Sequence, residues 1–302
     1  MRAKRRRAAG AMGKRNGGGR QKSALVTGAS SGFGLLVSVR LAEQGWLVYA
    51  GLRDLGRGDA LHAAAEQAGV SARVRPIALD VTSESQARAA AETIVREAGA
   101  IDALVNNAGF AAGGFVEEVP LAKWREQFET NLFGVIAATQ AVLPAMRRQG
   151  GGRIVLVSSV SGKIGFPSMG PYAASKHALE GLGETMRLEL APFGIAVSLI
   201  LPGPYKTAIW RKGLSGGAPP DEASPYAAYY ARLLPQIERS GANGGDPDLV
   251  ARTIVRALTA ARPKLRYLPS RAEYRTLAAK RFLPWRWIEA AVLKTVAPRG
   301  RD

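Results

Sequence analysis

Short apolar runs and stretches of helical apolar spacing take turns along most of this chain. Ala24–Thr27, Leu47–Leu52, Val74–Leu79, Ala103–Asn106, Arg153–Ser158 and Ala196–Leu201 read as strands. Between them, Leu35–Gln44, Ala60–Ala68, Ser83–Ala98, Leu121–Arg148 and Tyr172–Ala191 place apolar residues at helical intervals. Gly45 and Gly69 close two of these helices, Pro192 ends another, and Ser83 suits an N-cap. Asp248–Ala261 adds a further helix and Leu265–Leu268 a seventh strand. Strand and helix alternating in this way predict an α/β fold, a doubly wound parallel sheet of about seven strands with helices on both faces. A helical C-terminal extension follows the sheet.

Composition narrows the chemistry. The chain has 302 residues, 47% of them hydrophobic, which suits one large α/β domain or two small ones. It has no Cys, so disulfides, thiolate metal sites and a Cys nucleophile are excluded. His62 and His177 are its two histidines, too few for a His-rich metal site. No apolar run approaches the roughly 18 residues of a membrane span.

The net charge of +18 points to nucleic acid until it is located. Residues 1–22 hold nine basic residues and no acid, and residues 261–302 hold eleven basic and three acidic. That leaves 22 basic and 21 acidic residues in 23–260, a nearly neutral body. Nucleic acid is therefore not the expected partner. Residues 1–22 bury too little apolar surface to order themselves and read as a disordered basic leader. A targeting peptide has the same composition, and Met12 is a second candidate start.

Thr27-Gly28-Ala29-Ser30-Ser31-Gly32-Phe33-Gly34 joins the first strand to the first helix. Gly28 allows a tight turn, Gly32 a close approach of backbone to a pyrophosphate, and Gly34 close helix–strand packing. The helix N-terminus then offers N–H donors to the phosphates. This is a Rossmann-type dinucleotide site. The second strand ends in Leu52-Arg53-Asp54, with no acid at its tip to take a ribose 2′-OH. Arg53 can instead pair with a 2′-phosphate, which favours NADP(H) over NAD(H). Asp54, one residue on, works against that preference, and Arg53 read alone is equally a surface residue. Asp80, followed by Val81, can accept from the adenine amino group. Asn106-Asn107-Ala108-Gly109 ends the fourth strand. All these features fall at carboxyl ends of strands, where open α/β sheets bind ligands.

Tyr172 and Lys176 lie four apart and share a helix face. Ser159 ends the fifth strand, and Asn131 interrupts the long fourth helix, where it can also be a plain helix defect. With Thr27–Gly34, Asp80, Asn106–Gly109 and Pro202-Gly203, this set resembles the short-chain dehydrogenase/reductase superfamily in its shorter single-domain branch. The resemblance covers about residues 22–260. Arg153 to Thr207 looks most like steroid and retinol dehydrogenase relatives.

The resemblance implies an oxidoreductase moving a hydride between NADP(H) and an alcohol or carbonyl. Tyr172 is its implied acid/base. The cations of Lys176 and the nicotinamide would lower the phenol from its usual pKa of about 10. Lys176 would also hold the nicotinamide ribose, Ser159 the substrate oxygen, and Asn131 a water leading from Lys176 to solvent. Asn107, Ala108, Gly109, Pro202, Gly203 and Thr207 would line the cofactor. His177 points about 100° away from Lys176 and reads as a surface or interface residue. The alternative is a catalytically weak cofactor-sensing or membrane-surface binding protein on the same fold; the intact Ser159–Tyr172–Lys176 set argues against the first and the nearly neutral body against the second. The family's habit implies a cytoplasmic homodimer or homotetramer.

Residues 204–247, with Tyr205, Trp210, Tyr226, Tyr229 and Tyr230, correspond to a substrate lid suited to a lipophilic alcohol, ketone or aldehyde. Their aromatics can equally pack on the core. In the tail, Trp285, Ile288 and Val292 recur as one apolar face after Pro284, interleaved with Arg281, Arg286 and Lys294. Such a helix either docks on its own domain or a second copy, or lies on an anionic membrane, placing the chain peripherally at the inner membrane surface.

Overall fold

The computed structural model describes residues 20–207 and 223–296. Seven parallel strands form one sheet in the order β3-β2-β1-β4-β5-β6-β7. They are β1 (Ser23–Thr27), β2 (Leu47–Leu52), β3 (Val74–Ala78), β4 (Ala103–Asn106), β5 (Gly152–Val157), β6 (Ile195–Ile200) and β7 (Arg266–Tyr267). The helices are α1 (Gly32–Glu43), α2 (Asp59–Gln67), α3 (Glu84–Ala98), α4 (Leu121–Phe128), α5 (Gly134–Arg148), α6 (Gly170–Glu189), α7 (Ala227–Ala242), α8 (Pro247–Thr259), α9 (Arg271–Phe282) and α10 (Trp285–Val296). The doubly wound α/β architecture read from the sequence is the one observed.

Side chains of each strand alternate between two buried layers. Val26, Val48, Val105 and Val155 pack on one face with Leu41 of α1 and Val250, Ile254 and Leu258 of α8. Leu25, Tyr49, Leu104 and Ile154 pack on the other with Ile94 of α3, Val142 and Met146 of α5, and Leu179 of α6. Both sheet faces are covered, so the central strands are apolar throughout. Strand order reverses between β1 and β4. Their following segments diverge to opposite faces and leave a crevice at the strand ends.

Several elements differ from the sequence expectation. Leu121–Arg148 is broken by a π-helical segment, Glu129–Phe133, centred on Asn131. A short π insertion shifts hydrogen bonding by one residue and re-aims the chain. Helix α6 starts two residues earlier than expected, because Pro171 needs no N–H partner in a first turn. The lid region 204–247 contains a regular helix, α7, which its Gly and Pro content hid; residues 208–222, with Trp210, lie outside the described residues. Residues 1–19 of the expected leader also lie outside them. The leader's last residues are held: Arg20 pairs with Asp102 at 2.7 Å, and Gln21 donates to the Gly45 carbonyl at 2.9 Å. Arg20 and Gln21, within the segment read as disordered, are thus bonded to the α/β body.

A Cβ on Gly34 would lie 2.4 Å from the Gly28 carbonyl oxygen and 2.5 Å from Asn107 Nδ2. Gly181, mid-helix in α6, has open space at the same position. Gly34→Ala is expected to lower unfolding stability by about 1–3 kcal/mol. Gly181→Ala should be neutral or raise it by ~0.5–1 kcal/mol. Urea unfolding checks both, and a Gly34→Ala protein as stable as the parent would contradict the packing described.

Candidate active site

The turn after β1 is fixed from beneath. Thr27 Oγ1 accepts from the backbone N–H groups of Asn107 at 3.0 Å and Ala108 at 2.9 Å. Asn107 Nδ2 donates back to the carbonyls of Thr27 at 2.9 Å and Gly28 at 3.0 Å. Gly28 and Gly32 adopt φ of +66° and +59°, which favours glycine. Ser31 precedes α1 without capping it. The first-turn N–H groups of α1 are therefore open to a ligand. The Ser30 and Ser31 hydroxyls bond nothing among the described residues, Ser31 is exposed, and Phe33 is half-buried.

Arg53 is exposed and forms no ion pair among the described residues. Asp54 is occupied: it accepts from Gly56 N at 2.9 Å and lies 3.5 Å from Arg57. Asp80 Oδ1 accepts from Thr82 N at 3.0 Å and from its hydroxyl at 2.8 Å. Val81 is buried, and any Cβ on Gly134 would strike it. Open N–H donors, left-handed glycines and a carboxylate after β3 fit a nicotinamide dinucleotide.

Ser159, Tyr172 and Lys176 converge at the carboxyl end of β5. The Ser159 hydroxyl donates to the Pro202 carbonyl at 3.3 Å and accepts from Ser161 N at 3.1 Å. Tyr172 is half-buried, and Lys176 is 6% exposed. Lys176 Nζ donates to the Val157 carbonyl at 2.8 Å and sits 5.7 Å from the Tyr172 ring centre. Burial draws the Lys176 ammonium down from 10.5 to about 8, against the pull of the Glu180 carboxylate. Burial pushes the Tyr172 phenol above its ordinary 10, and hydrogen bonding with Ser159 opposes the rise. Lys176 alone thus does not produce the lowered phenol expected from the sequence. Its ammonium is committed to a carbonyl, and desolvation of the phenolate dominates.

Asn131 is buried in the π segment. Its Oδ1 accepts from Phe110 N at 3.1 Å, and its Nδ2 donates to the Phe110 carbonyl at 3.0 Å and to Ser175 Oγ at 3.3 Å. Both Nδ2 hydrogens are thus committed, while Oδ1 accepts one bond and keeps a second acceptor position. His177 is exposed on α6, with Nδ1 2.8 Å from the Ala173 carbonyl oxygen, as a surface reading requires.

Pro202–Thr207 crosses above the turn. Thr207 side-chain atoms lie 3.9 Å from where a Gly32 Cβ would be. Phe33 and Tyr205 stack edge to face at 5.9 Å. Glu273, 4% exposed on α9, accepts from Gly203 N at 3.1 Å and Tyr205 Oη at 2.9 Å. Burial alone would raise this carboxyl. The bonds from Ser270, Tyr205 and Gly203 hold it below the usual range.

Three positioning residues were not singled out from the sequence. Ser175 links Asn131 to the Tyr172 carbonyl, to which it donates at 2.8 Å. Glu180, 2% exposed, binds Lys163 at 3.0 Å and Arg266 at 2.8 Å one turn beyond Lys176. Glu273 is the third, and its capping box with Ser270 was a readable signal.

In the protein without cofactor, the ultraviolet phenolate signal that Tyr172→Phe removes should appear only above pH 10. A phenolate forming near neutrality in that state would overturn the burial argument.

The family described as short chain dehydrogenase matches residues 22–215. An uncharacterized oxidoreductase of Bacillus subtilis, YusZ, is 45% identical over 277 residues, covering 91% of this chain and 98% of its own. A 3-ketodihydrosphingosine reductase of Bacteroides thetaiotaomicron is 37% identical, covering 80% of this chain and 85% of its own. The 17-beta-hydroxysteroid dehydrogenase type 1 of Mus musculus is 37% identical over 91% of this chain and 77% of its own. Among solved structures, a short-chain dehydrogenase of Streptomyces avermitilis superposes with a TM-score of 0.74 at 33% identity, covering 93% of this chain and 98% of that one. A Burkholderia phymatum short-chain dehydrogenase/reductase in complex with NAD gives 0.75 at 29% identity, with the same coverage. The sheet order, the Gly28–Gly34 turn and these matches agree: this chain belongs to the short-chain dehydrogenase/reductase family of oxidoreductases.

Proposed function

We propose that this protein is an NADP(H)-dependent oxidoreductase that interconverts a lipophilic alcohol and its carbonyl compound. The observation that carries this reading is the convergence of Ser159, Tyr172 and Lys176 beneath Pro202–Thr207, beside the Gly28–Gly34 turn. A bound nicotinamide supplies or accepts the hydride. Gly28–Gly34 and the α1 N-terminus hold its pyrophosphate, with Asn107–Gly109, Pro202, Gly203 and Thr207 around the rest. Asp80 and Val81 flank the adenine, and Arg53 takes the 2′-phosphate.

Tyr172 donates its proton to the substrate oxygen in carbonyl reduction and takes it back in alcohol oxidation. Ser159 donates a hydrogen bond to that same oxygen and keeps it in line with the phenol. Lys176 turns from the Val157 carbonyl to the ribose hydroxyls, and its charge then favours the phenolate. Asn131 keeps the π segment and the Phe110 loop in place, so that a water can join Lys176 to solvent through main-chain carbonyls.

Apolar surroundings support a lipophilic substrate. Val116 and Trp124 approach Gly170, two residues before Tyr172, to within 3.1 Å and 3.3 Å of its Cβ position. Phe115 stacks on Tyr226 at 4.4 Å and meets Tyr229 at 5.3 Å, joining the lid helix α7 to the site. The relatives named for 3-ketodihydrosphingosine and 17-beta-hydroxysteroid act on molecules of this kind. Arg53 without an ion pair among the described residues, with Asp54 diverted to Gly56 and Arg57, supports NADP(H).

An NADP(H)-linked absorbance screen with hydrophobic alcohols and ketones tests the reading. Tyr172→Phe should retain NADPH binding and lose at least ~10²-fold in turnover. Arg53→Ala should lower kcat/KM for NADPH by about tenfold or more and spare NADH. Full turnover in Tyr172→Phe would overturn the catalytic assignment. A wild-type preference for NADH would overturn the cofactor assignment.

A further inference from the structure

Helices α9 and α10 expose an unusual share of the chain's apolar surface. Of thirteen exposed large hydrophobic residues among those described, six lie here: Tyr274, Phe282, Leu283, Trp285, Trp287 and Leu293. Phe282 is 76% exposed, and both tryptophans are 56% exposed. A stray exposed Leu needs no explanation, but two Trp and a Phe within six residues do.

Only part of α10 docks on the protein. Val292 joins Phe115, Leu233 and the lid tyrosines in a small apolar cluster, and α10 leans on α7. Ile288 and Val292 are half-buried, while Trp285, though on the same stripe, stays exposed. The docking reading of the tail therefore holds for one face alone. The opposite side of α10 carries Arg286, Trp287, Leu293 and Lys294, and Phe282–Trp285 form the corner between the two helices.

Charge identifies what this surface meets. Arg275, Arg281, Arg286 and Lys294 are exposed and form no ion pair among the described residues. Within α9 and α10 the acids are Glu273, buried under Gly203, and Glu289. A second copy docked symmetrically would set this cationic face against itself. Nucleic acid phosphates would satisfy the cations but leave Phe282, Leu283 and Leu293 in water. A bilayer with anionic headgroups satisfies both: Trp and apolar side chains enter the interface while Arg and Lys meet the headgroups. No helix among the described residues is long and apolar enough to cross a membrane. Contact at the surface is what this shape allows.

We propose that the α9–α10 corner, with Phe282, Leu283, Trp285 and Trp287 as its apolar prongs, seats the protein on anionic lipid bilayers with the lid helix α7 alongside. Entry of a lipophilic substrate would then occur where such substrates dissolve. Seating is read without turnover, so its failure is separable from failure of the catalytic reading.

The test is co-sedimentation of the full-length protein with phosphatidylcholine vesicles, with and without phosphatidylglycerol. Binding is expected to the anionic vesicles and to fall steeply with salt. Trp285→Ala/Trp287→Ala keeps every charge, including those of residues 1–22, and should lower partitioning at least about tenfold. Its thermal melting and NADPH binding should stay unchanged. Three results would overturn the proposal. They are no binding of the parent to anionic vesicles, equal binding of the Trp variant, or a dimer in the absence of vesicles that the Trp variant abolishes.

Discussion

Four hydrogen bonds between the ends of β1 and β4 hold the ligand-facing edge together. Thr27 Oγ1 takes two backbone N–H groups from the β4 side, and Asn107 returns two bonds to the β1 side. They bind the two strands at the point where sheet order reverses and helices leave for opposite faces. The knot has no spare room: a Cβ on Gly28 would come within 2.8 Å of Ala108 Cα. This is why the turn is glycine-rich and why α1 begins pointing its N–H groups into the crevice. Thr27 and Asn107 brace the turn from beneath, whereas the Ser30 and Ser31 hydroxyls bond nothing among the described residues.

Electrostatics at the far wall depend on a second constraint, a cation in an apolar interior. Lys176 keeps its place by donating to Val157 and by having Glu180 one turn away. Glu180 is itself neutralised by Lys163 and Arg266. The result is a lysine near 8 beside a phenol above 10. Burial thus favours the protonated form of Tyr172 in the protein alone. In the proposed reaction, positive charge brought into the crevice by the cofactor would favour the Tyr172 phenolate.

Much of this was legible in the sequence. Alternation and helical spacing located every sheet strand, because parallel strands covered on both faces leave uninterrupted apolar runs. Residues at strand ends were readable because turn chemistry leaves Gly, Asn and Ser there. What stayed hidden works over long sequence separations. Glu273 looks like an ordinary capping-box acid, yet it fastens Gly203 and Tyr205, some 70 residues earlier. Ser175 and Glu180 sit in a helix where single polar residues usually face water. Helix α7 was masked by Gly and Pro at its flanks and by Pro235 within it. The tail periodicity placed Trp285 with Ile288 and Val292, but Trp285 stays exposed while the other two are half-buried.

The periphery follows from the centre. The Gly203–Tyr205 crossing is tied to α9 by Glu273, and α10 packs against α7 through Val292, so these C-terminal helices are joined to the Pro202–Thr207 segment and to α7. In the proposed reaction a hydride passes between nicotinamide C4 and the carbonyl carbon while Tyr172 supplies the proton. The most direct test uses a lipophilic ketone with NADPH carrying deuterium at nicotinamide C4, and product analysis by mass spectrometry. With the deuterium on the transferred face, the account predicts one deuterium on the former carbonyl carbon, and none when the opposite face is labelled. Alcohol formed without deuterium from either labelled face would contradict it.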